Sequence, residues 1–302
     1  MLGLVVVLVA LLAWPGFLLW DANGHLGRTD ALSGAASTPG TTYLLAGSDS
    51  RADGAVKDST QGQRSDSIML VHVAANGQAS ATSLPRDTYV EIPGHGWDKL
   101  NASYSYGGAQ LLVRTVEALT GLTIDHFVEI GMGGVGNIVD AVGGVNLCLD
   151  YDVNDANSGL VWTAGCHDAN GTTALAFSRM RYSDPLGDIG RAQRQRQVVE
   201  KTISTAMTPQ VLANPVSAFR LERAGAGALT VDRSSSVVDV ARLVLAFRSA
   251  GNAGLTGAPP IENMGYQTSA GSTVLLQDTT APAFFKAVAD GTLTKDSFAA
   301  LK

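Results

Sequence analysis

The chain opens on an unbroken apolar run. Met1 to Trp20 contains no charged side chain. A helix of that length, rising ~1.5 Å per residue, covers ~30 Å, the thickness of a bilayer's hydrocarbon core. Such a helix tolerates Pro15, and Trp14 and Trp20 suit its interfaces. No Lys or Arg precedes the run to orient it, and no A-x-A-like site follows closely. The second fact favours an uncleaved anchor over a removed signal peptide; a buried core helix is the third alternative. The expectation is a transmembrane anchor over 1–20, single-pass in the cell membrane, with the rest of the chain extracytoplasmic. Residues 21–41 are small and polar and read as a juxtamembrane linker.

From Thr42 the pattern becomes periodic. TYLLAG (42–47), SIMLVHVA (67–74) and QASATSL (78–84) read as strands, the last two joined by the hairpin signal Asn76-Gly77. Ala109, Leu112, Val113, Val116 and Leu119 recur at helical spacing, predicting a helix over 107–120 closed by Gly121. HFVEIG (126–131) and VNLCLD (145–150) are strands flanking a short helix at 133–142. TALAFSRMRY (173–182) opens helical and ends extended, and a helix follows over 189–207 with Asp188 as N-cap. Helical pattern returns at 235–249 and 282–290, around a strand at 272–277. Strands interleaved with helices indicate an α/β layered domain with a mostly internal sheet, running from 42 to 302 as one unit.

Composition narrows the partners. A net charge of −6 gives no basic field for nucleic acid. Cys148 and Cys166, the two cysteines, lie 18 positions apart in a chain read as exported. That favours a disulfide over two unpaired thiols. The five histidines lack metal-ligand spacing, and neither G-x-S-x-G nor H-E-x-x-H occurs.

Four stretches carry the usable chemistry: GSDSR (47–51), RSDS (64–67), LPRD (84–87) and SRMRYSDPLGDIGRAQRQRQ (178–197). Each puts charge beside an expected strand end or helix start, where α/β proteins build sites. Arg179 and Arg181, two apart on an extended segment, project to one side. Arg191 and Gln195, four apart, share a helix face. With Gly187, Asp188 and Gly190 marking the helix start, three arginines converge where free N–H groups favour an anion. Guanidinium groups grip phosphate oxygens bidentately, so the arrangement suits a pyrophosphate. Asp49 and Asp66 form a carboxylate pair suited to Mg²⁺, and Arg64 and Arg86 add positive charge at the same end of the sheet. Arg194 and Arg196 read as a solvated helix face. Any one of these residues is more simply a surface ion pair; the joint pattern is what points to a site.

GSDSR, RSDS, SLPRDTYVEIPG, KLNASYSYGG and FSRMRYSDPLGDIGRAQRQRQ stand in the order, and at roughly the spacing, of the LytR–CpsA–Psr family, which residues 42 to 250 resemble. The resemblance implies a three-layer α/β/α domain around a central mixed sheet, carried outside the cytoplasm by a membrane anchor. It implies a phosphotransferase that moves a glycopolymer (teichoic acid, capsule or arabinogalactan) from a polyprenyl-pyrophosphate carrier to peptidoglycan. By position, Asp49 and Asp66 resemble the Mg²⁺-associated aspartates. Arg64, Arg86, Arg179, Arg181, Arg191 and Gln195 resemble the pyrophosphate-binding set, and Lys99 matches the basic position of a lysine–asparagine motif. Asp66, Arg86, Asp87, Arg179 and Arg181 form the expected catalytic group, with Asp66 and Asp87 the candidates for general base. The cysteine pair resembles the disulfide of actinobacterial members. The helix at 109–119, the strand at 126–130 and Val135 to Val142 offer aliphatic surface for a prenyl chain.

Three other readings use parts of the same sequence. Gly131-Met132-Gly133-Gly134-Val135-Gly136 is a literal G-x-G-x-x-G after an expected strand, with Asp150 and Asp152 near the distance of a dinucleotide site. An exported domain meets little NAD, and the glycines also suit close packing of a short helix. A non-catalytic binder of lipid-linked glycan and a pyrophosphate hydrolase would each use the arginine site without transfer.

Overall fold

The computed structural model describes residues 2–48, 65–181, 183–185 and 187–299. The apolar run forms a helix, α1 (Leu2–His25), which extends five residues past Trp20. Among the described residues no helix is long and apolar enough to cross a membrane; the side chains of residues 2–13 lie outside them. After α1 come β1 (Gly27–Thr29), β2 (Thr41–Ser48), β3 (Ser65–Val73), β4 (Ala79–Leu84), β5 (Tyr89–Ile92) and β6 (Gly96–Lys99). The middle of the chain holds α2 (Leu100–Thr120), β7 (His126–Gly131), α3 (Met132–Ala141), β8 (Val145–Leu149), β9 (Val153–Asp155), β10 (Leu160–Trp162) and β11 (Gly165–Ala169). Then follow α4 (Gly171–Arg179), α5 (Asp188–Ala206), α6 (Pro209–Leu212), α7 (Pro215–Ala228), β12 (Leu229–Asp232) and α8 (Val237–Ala253). The chain closes with β13 (Thr256–Gly257), β14 (Ile261–Thr268), β15 (Gly271–Leu276) and α9 (Ala281–Asp290).

Seven strands form one mixed sheet in the order β1-β12-β7-β2-β3-β4-β13. β2 runs antiparallel to β3 and parallel to β7, while β3 runs antiparallel to β4. Period-2 alternation sorts the side chains between two cores. Leu44, Ala46, Ile68 and Leu70 pack against α2 and α9 on one face. Tyr43, Met69 and Val71 pack on the other face, with Leu243, Ala246 and Phe247 of α8, Ala226 of α7 and the end of α1. The expected three-layer α/β/α architecture is the observed one.

Asn76-Gly77 turns the β3–β4 hairpin as expected: Ala74 N donates to Gln78 O at 2.9 Å, and Gly77 sits at φ +86°. α2 begins seven residues earlier than its apolar period suggests. Gly107 and Gly108 leave helical geometry in its second turn, and that kink interrupts the hydrophobic repeat. The residues read as a linker over 21–41 are partly structural. Ala22, Leu26 and Ala31 are buried, and β1 adds a parallel edge strand to β12. Asp21 also meets Arg223 of α7 at 2.9 Å.

A third core cluster, with Val139, Leu147, Leu160, Trp162, Phe177 and Met180, lies beside the sheet. Here Cys148 and Cys166 face each other across the β8–β11 pair and are joined by a disulfide. The segment they close is more than a polar loop, since it contains the β9–β10 hairpin. Cross-linking it restricts the unfolded chain, so reduction is expected to cost roughly 2–4 kcal/mol. Guanidinium midpoints measured with and without a thiol reductant check this, and identical midpoints would refute it.

His72 is buried within β3, its Nδ1 3.0 Å from Thr42 Oγ1. Burial pulls its pKa below the ordinary 6.5, against smaller opposing effects of a backbone hydrogen bond and Asp125. The unfolded chain therefore takes up this proton at a higher pH than the folded one. Stability is fully present above about 6.5 and falls as the pH drops toward the folded-state value. His72→Gln is expected to flatten that part of the stability–pH curve in chemical denaturation; an unchanged slope would contradict it.

Candidate functional site

The motif-bearing segments meet at one end of the central sheet. Ser48, last in β2, pairs with Ser65, first in β3. Ile68 of β3 pairs with Leu84, last in β4. The β3–β4 ladder ends there, with Arg86 two residues beyond it. Asp49 follows Ser48 directly and Arg64 precedes Ser65; both lie outside the described residues, as does the side chain of Asp66.

The loop after β4 is held from two sides by backbone. Asn101 N donates to Arg86 O at 2.9 Å and Leu100 N to Thr88 O at 2.8 Å, so the loop satisfies the first free N–H groups of α2. From the other side Val274 N donates to Asp87 O at 2.8 Å. This clamp fixes the directions of the Arg86 and Asp87 side chains. The Asp87 carboxylate then pairs with Lys99 Nζ at 3.2 Å and Arg86 Nε at 3.6 Å.

α4 and α5 supply the opposing wall. Arg194 is buried, contrary to the expectation of a solvated face. Its Nε donates to Phe177 O at 3.0 Å, its other nitrogens reach Met180 O and the Asp184 carboxylate, and Tyr151 Oη lies 3.5 Å away. Burial and Asp184 push the Tyr151 hydroxyl up to about 12. α5 lies across the end of α4, and that crossing turns Arg194 inward. The N-cap of α5 is Gly187, at φ +54°, rather than Asp188. The Asp184 carboxylate stands so close to Gly190 that a Cβ there would collide with it. The helix start thus already faces a carboxylate of the chain itself.

A cavity of about 50 Å³ separates the two walls. Arg86 and Asp87 line it from the loop, Arg191, Gln195 and Arg196 from α5, and Ser67, Met69 and Leu84 from the sheet. That is room for a few waters, hence for a phosphoryl group but not for a sugar. Gln195 Nε2 lies 3.5 Å from Ser178 O, tying α5 to the end of α4. Arg179 and Arg181 do not line this cavity. They stand in sequence on either side of Met180, which is fully buried in the third core cluster.

Arg196 is the residue sequence reasoning missed. It forms a wall common to this cavity and to a second, open one of about 560 Å³ that also meets Gln193, Lys295 and Phe298. Among the described residues it has no hydrogen bond or ion pair. Burial lowers its pKa, partly offset by Glu200 one helical turn on. The available signal was spacing: Ala192 and Arg196 form a stripe beside Arg191 and Gln195, and small Ala192 leaves the space. Glu129 of β7 was passed over too; at the same end of the sheet it accepts from Tyr104 Oη at 2.9 Å.

Two other expectations are resolved by packing. A Cβ on Gly134 would lie 2.6 Å from that of Ala228, and one on Gly136 would lie 3.3 Å from Gly171 O. These glycines let α3 press on α7 and α4, which accounts for the G-x-G-x-x-G. The surfaces suggested for a prenyl chain divide between two cores: Leu112, Val116 and Phe127 in one, Val139 and Val142 in another. Elsewhere, Asp21, His25 and Glu222 bring ligand atoms within 4.8 Å of one another, but the guanidinium of Arg223 sits among them and supplies the positive charge.

Residues 21–225, which contain the four charged motifs, match the LytR–CpsA–Psr family. The chain belongs to that family. It is 42% identical over 256 residues to the probable cell wall biosynthesis protein LcpB of Corynebacterium glutamicum, covering 82% of this chain and 60% of that one. It is 33% identical over 258 residues to TagU of Enterococcus faecalis, named a polyisoprenyl-teichoic acid–peptidoglycan teichoic acid transferase, with 82% of each chain covered. Among solved structures, the LytR-Csp2A-Psr enzyme from Actinomyces oris superimposes with a TM-score of 0.71 at 26% identity. That match takes in 88% of this chain and 96% of the other.

Proposed function

We propose that this LytR–CpsA–Psr protein is a phosphotransferase that moves a cell-wall glycopolymer from a polyprenyl-pyrophosphate carrier to a hydroxyl of peptidoglycan. One observation carries the reading: Arg86, Arg191 and Arg196 meet Asp87 and Gln195 around a cavity sized for a phosphoryl group. The name of the Enterococcus relative, a transferase between the same two partners, supports it.

Outside the cytoplasm no ATP is at hand, so the pyrophosphate linkage itself drives the reaction. The acceptor hydroxyl attacks the sugar-side phosphorus in line, forming a new P–O bond. The P–O bond to the bridging oxygen breaks, and polyprenyl phosphate leaves with the electron pair. Arg86, Arg191 and Arg196 stabilise charge on the non-bridging and leaving oxygens, and Arg179 and Arg181 add positive charge from the segment that leads into α5. Gln195 orients the diphosphate. Asp87, held between Lys99 and Arg86, positions those two cations, and Asp66 and Asp87 are the two candidates to take the hydroxyl proton.

The residues at the end of β2 suit Mg²⁺. Ser48 Oγ is buried there with no hydrogen-bond partner among the described residues, and the neighbouring donors are hard oxygens. Asp49 and Asp66 would hold the ion, which neutralises charge on the diphosphate. The N-terminal helix anchors the enzyme in the membrane that carries its donor.

The test uses the full chain in detergent with a polyprenyl-pyrophosphate glycan and peptidoglycan, with and without Mg²⁺. Glycan linked to peptidoglycan, and formed only with Mg²⁺, is the expected product. Free glycan alone would make the protein a hydrolase, and tight binding without any product would make it a binder.

A further inference from the structure

The surface next to the arginine cavity is built of aromatic rings that the chemistry above does not use. β5 and β6 form a hairpin that starts two residues after Asp87, with Tyr89 opposite Lys99 and Glu91 opposite Trp97. Val90 and Ile92 turn inward to the core on the α2 face. Alternation therefore sends Tyr89, Glu91 and Trp97 outward. The Tyr89 ring lies 5.2 Å from that of Trp97 and 6.3 Å from that of Tyr266 on β14. At the hairpin turn His95 stacks on Tyr106 with centroids 4.9 Å apart. Trp97 is 57% exposed, Tyr106 50% and Tyr266 41%. Clustered rings left this open contribute little to the core and mark a surface that something covers.

We infer that Tyr89, Trp97 and Tyr266 are a stacking platform for the sugar rings of the acceptor glycan. The inference deepens the transferase reading and rests on it. A pyranose presents an apolar C–H face that lies flat on an aromatic ring, while its hydroxyls need acceptors at the ring's edge. Glu91 supplies one beside Trp97: it is exposed and, among the described residues, has no hydrogen bond or ion pair. This carboxylate repels a phosphate-rich polymer, which selects the acceptor strand rather than the diphosphate-bearing donor. Tyr89 stands about 7 Å along an extended chain from Asp87, so a ring stacked there has hydroxyls within reach of the cavity. A lipid surface would also cover exposed aromatics. The hairpin, however, packs on the α2 face of the sheet, whereas Ala22 and Leu26 at the end of the N-terminal helix pack on the opposite face.

The test is calorimetric titration of the full chain in detergent with chitotetraose and with a soluble peptidoglycan strand of similar length. Geranyl diphosphate serves as a second, independent ligand. Trp97→Ala and Tyr266→Ala are each expected to weaken glycan binding about tenfold, a stacked ring's contribution, and to leave geranyl diphosphate affinity unchanged. Wild-type glycan affinity in both variants, or no glycan binding by the parent protein, overturns the platform. So does Trp97-dependent binding to phosphatidylglycerol vesicles in place of glycan. Glycan binding that depends on Trp97 in a protein that yields no transfer product would instead overturn the transferase reading and leave the platform standing.

Discussion

Arg86→Ala is expected to reduce glycopolymer transfer by roughly 10²–10³-fold, the usual cost of deleting one preorganised charge partner of a transition state. The loop bearing Arg86 is clamped by the backbone of α2 and of β15, through Asn101 N, Leu100 N and Val274 N. None of those contacts involves the Arg86 side chain, so the melting temperature should stay close to that of the parent. The substitution also removes one cationic neighbour of Asp87 and leaves its pair with Lys99 in place. Transfer assays and thermal melts on the same preparation check both halves. Wild-type turnover in a folded variant would remove Arg86 from the site.

Arg194→Ala is expected to act on stability instead. Its guanidinium, 4% exposed, joins two backbone carbonyls of α4 and its C-cap to the buried Asp184 carboxylate. Removing it takes the buried cationic partner from that carboxylate and is expected to cost about 3–5 kcal/mol. Arg196, two positions on, gives the contrast. Because it has no protein partner among the described residues, Arg196→Ala relieves a partly desolvated cation and should leave the denaturation midpoint level or slightly raised. The same change should weaken binding of a diphosphate. Guanidinium titrations of both variants decide the matter, and similar losses of stability in the two would contradict the assignment.

These two arginines also show where sequence reasoning stopped. Both were read as solvent-facing, because the pattern of α5 alone leaves them off its apolar stripe. The faces α5 buries are set by the end of α4 and by β8, which sequence periodicity does not reveal. By contrast, β2, β3 and β4 were legible: strict alternation feeds two cores, and Asn76-Gly77 fixes their register. α2 was read short because Gly107 and Gly108 break its repeat. α7 and β12 were not read at all. Much of α7's surface stays partly open, with Ala226 its one buried residue, and β12 is only four residues long. Its Asn214-Pro215 start was a capping signal that went unused. The β5–β6 hairpin escaped notice because four alternating residues per strand are too few to separate from a loop. At the site, Arg86, Asp87, Arg191 and Gln195 line one cavity and Lys99 pairs with Asp87, while Arg179 and Arg181 are not among the lining residues.

The account stands on side chains remote in sequence acting together on one diphosphate. Titrating the full chain with geranyl diphosphate by calorimetry tests this most directly, in parallel with Arg86→Ala, Arg191→Ala and Gln195→Ala. The expected result is one site per chain, with affinity reduced at least about tenfold in each arginine variant and less in the glutamine variant. Equal affinity in all four proteins would mean that the loop after β4 and the face of α5 do not share a ligand.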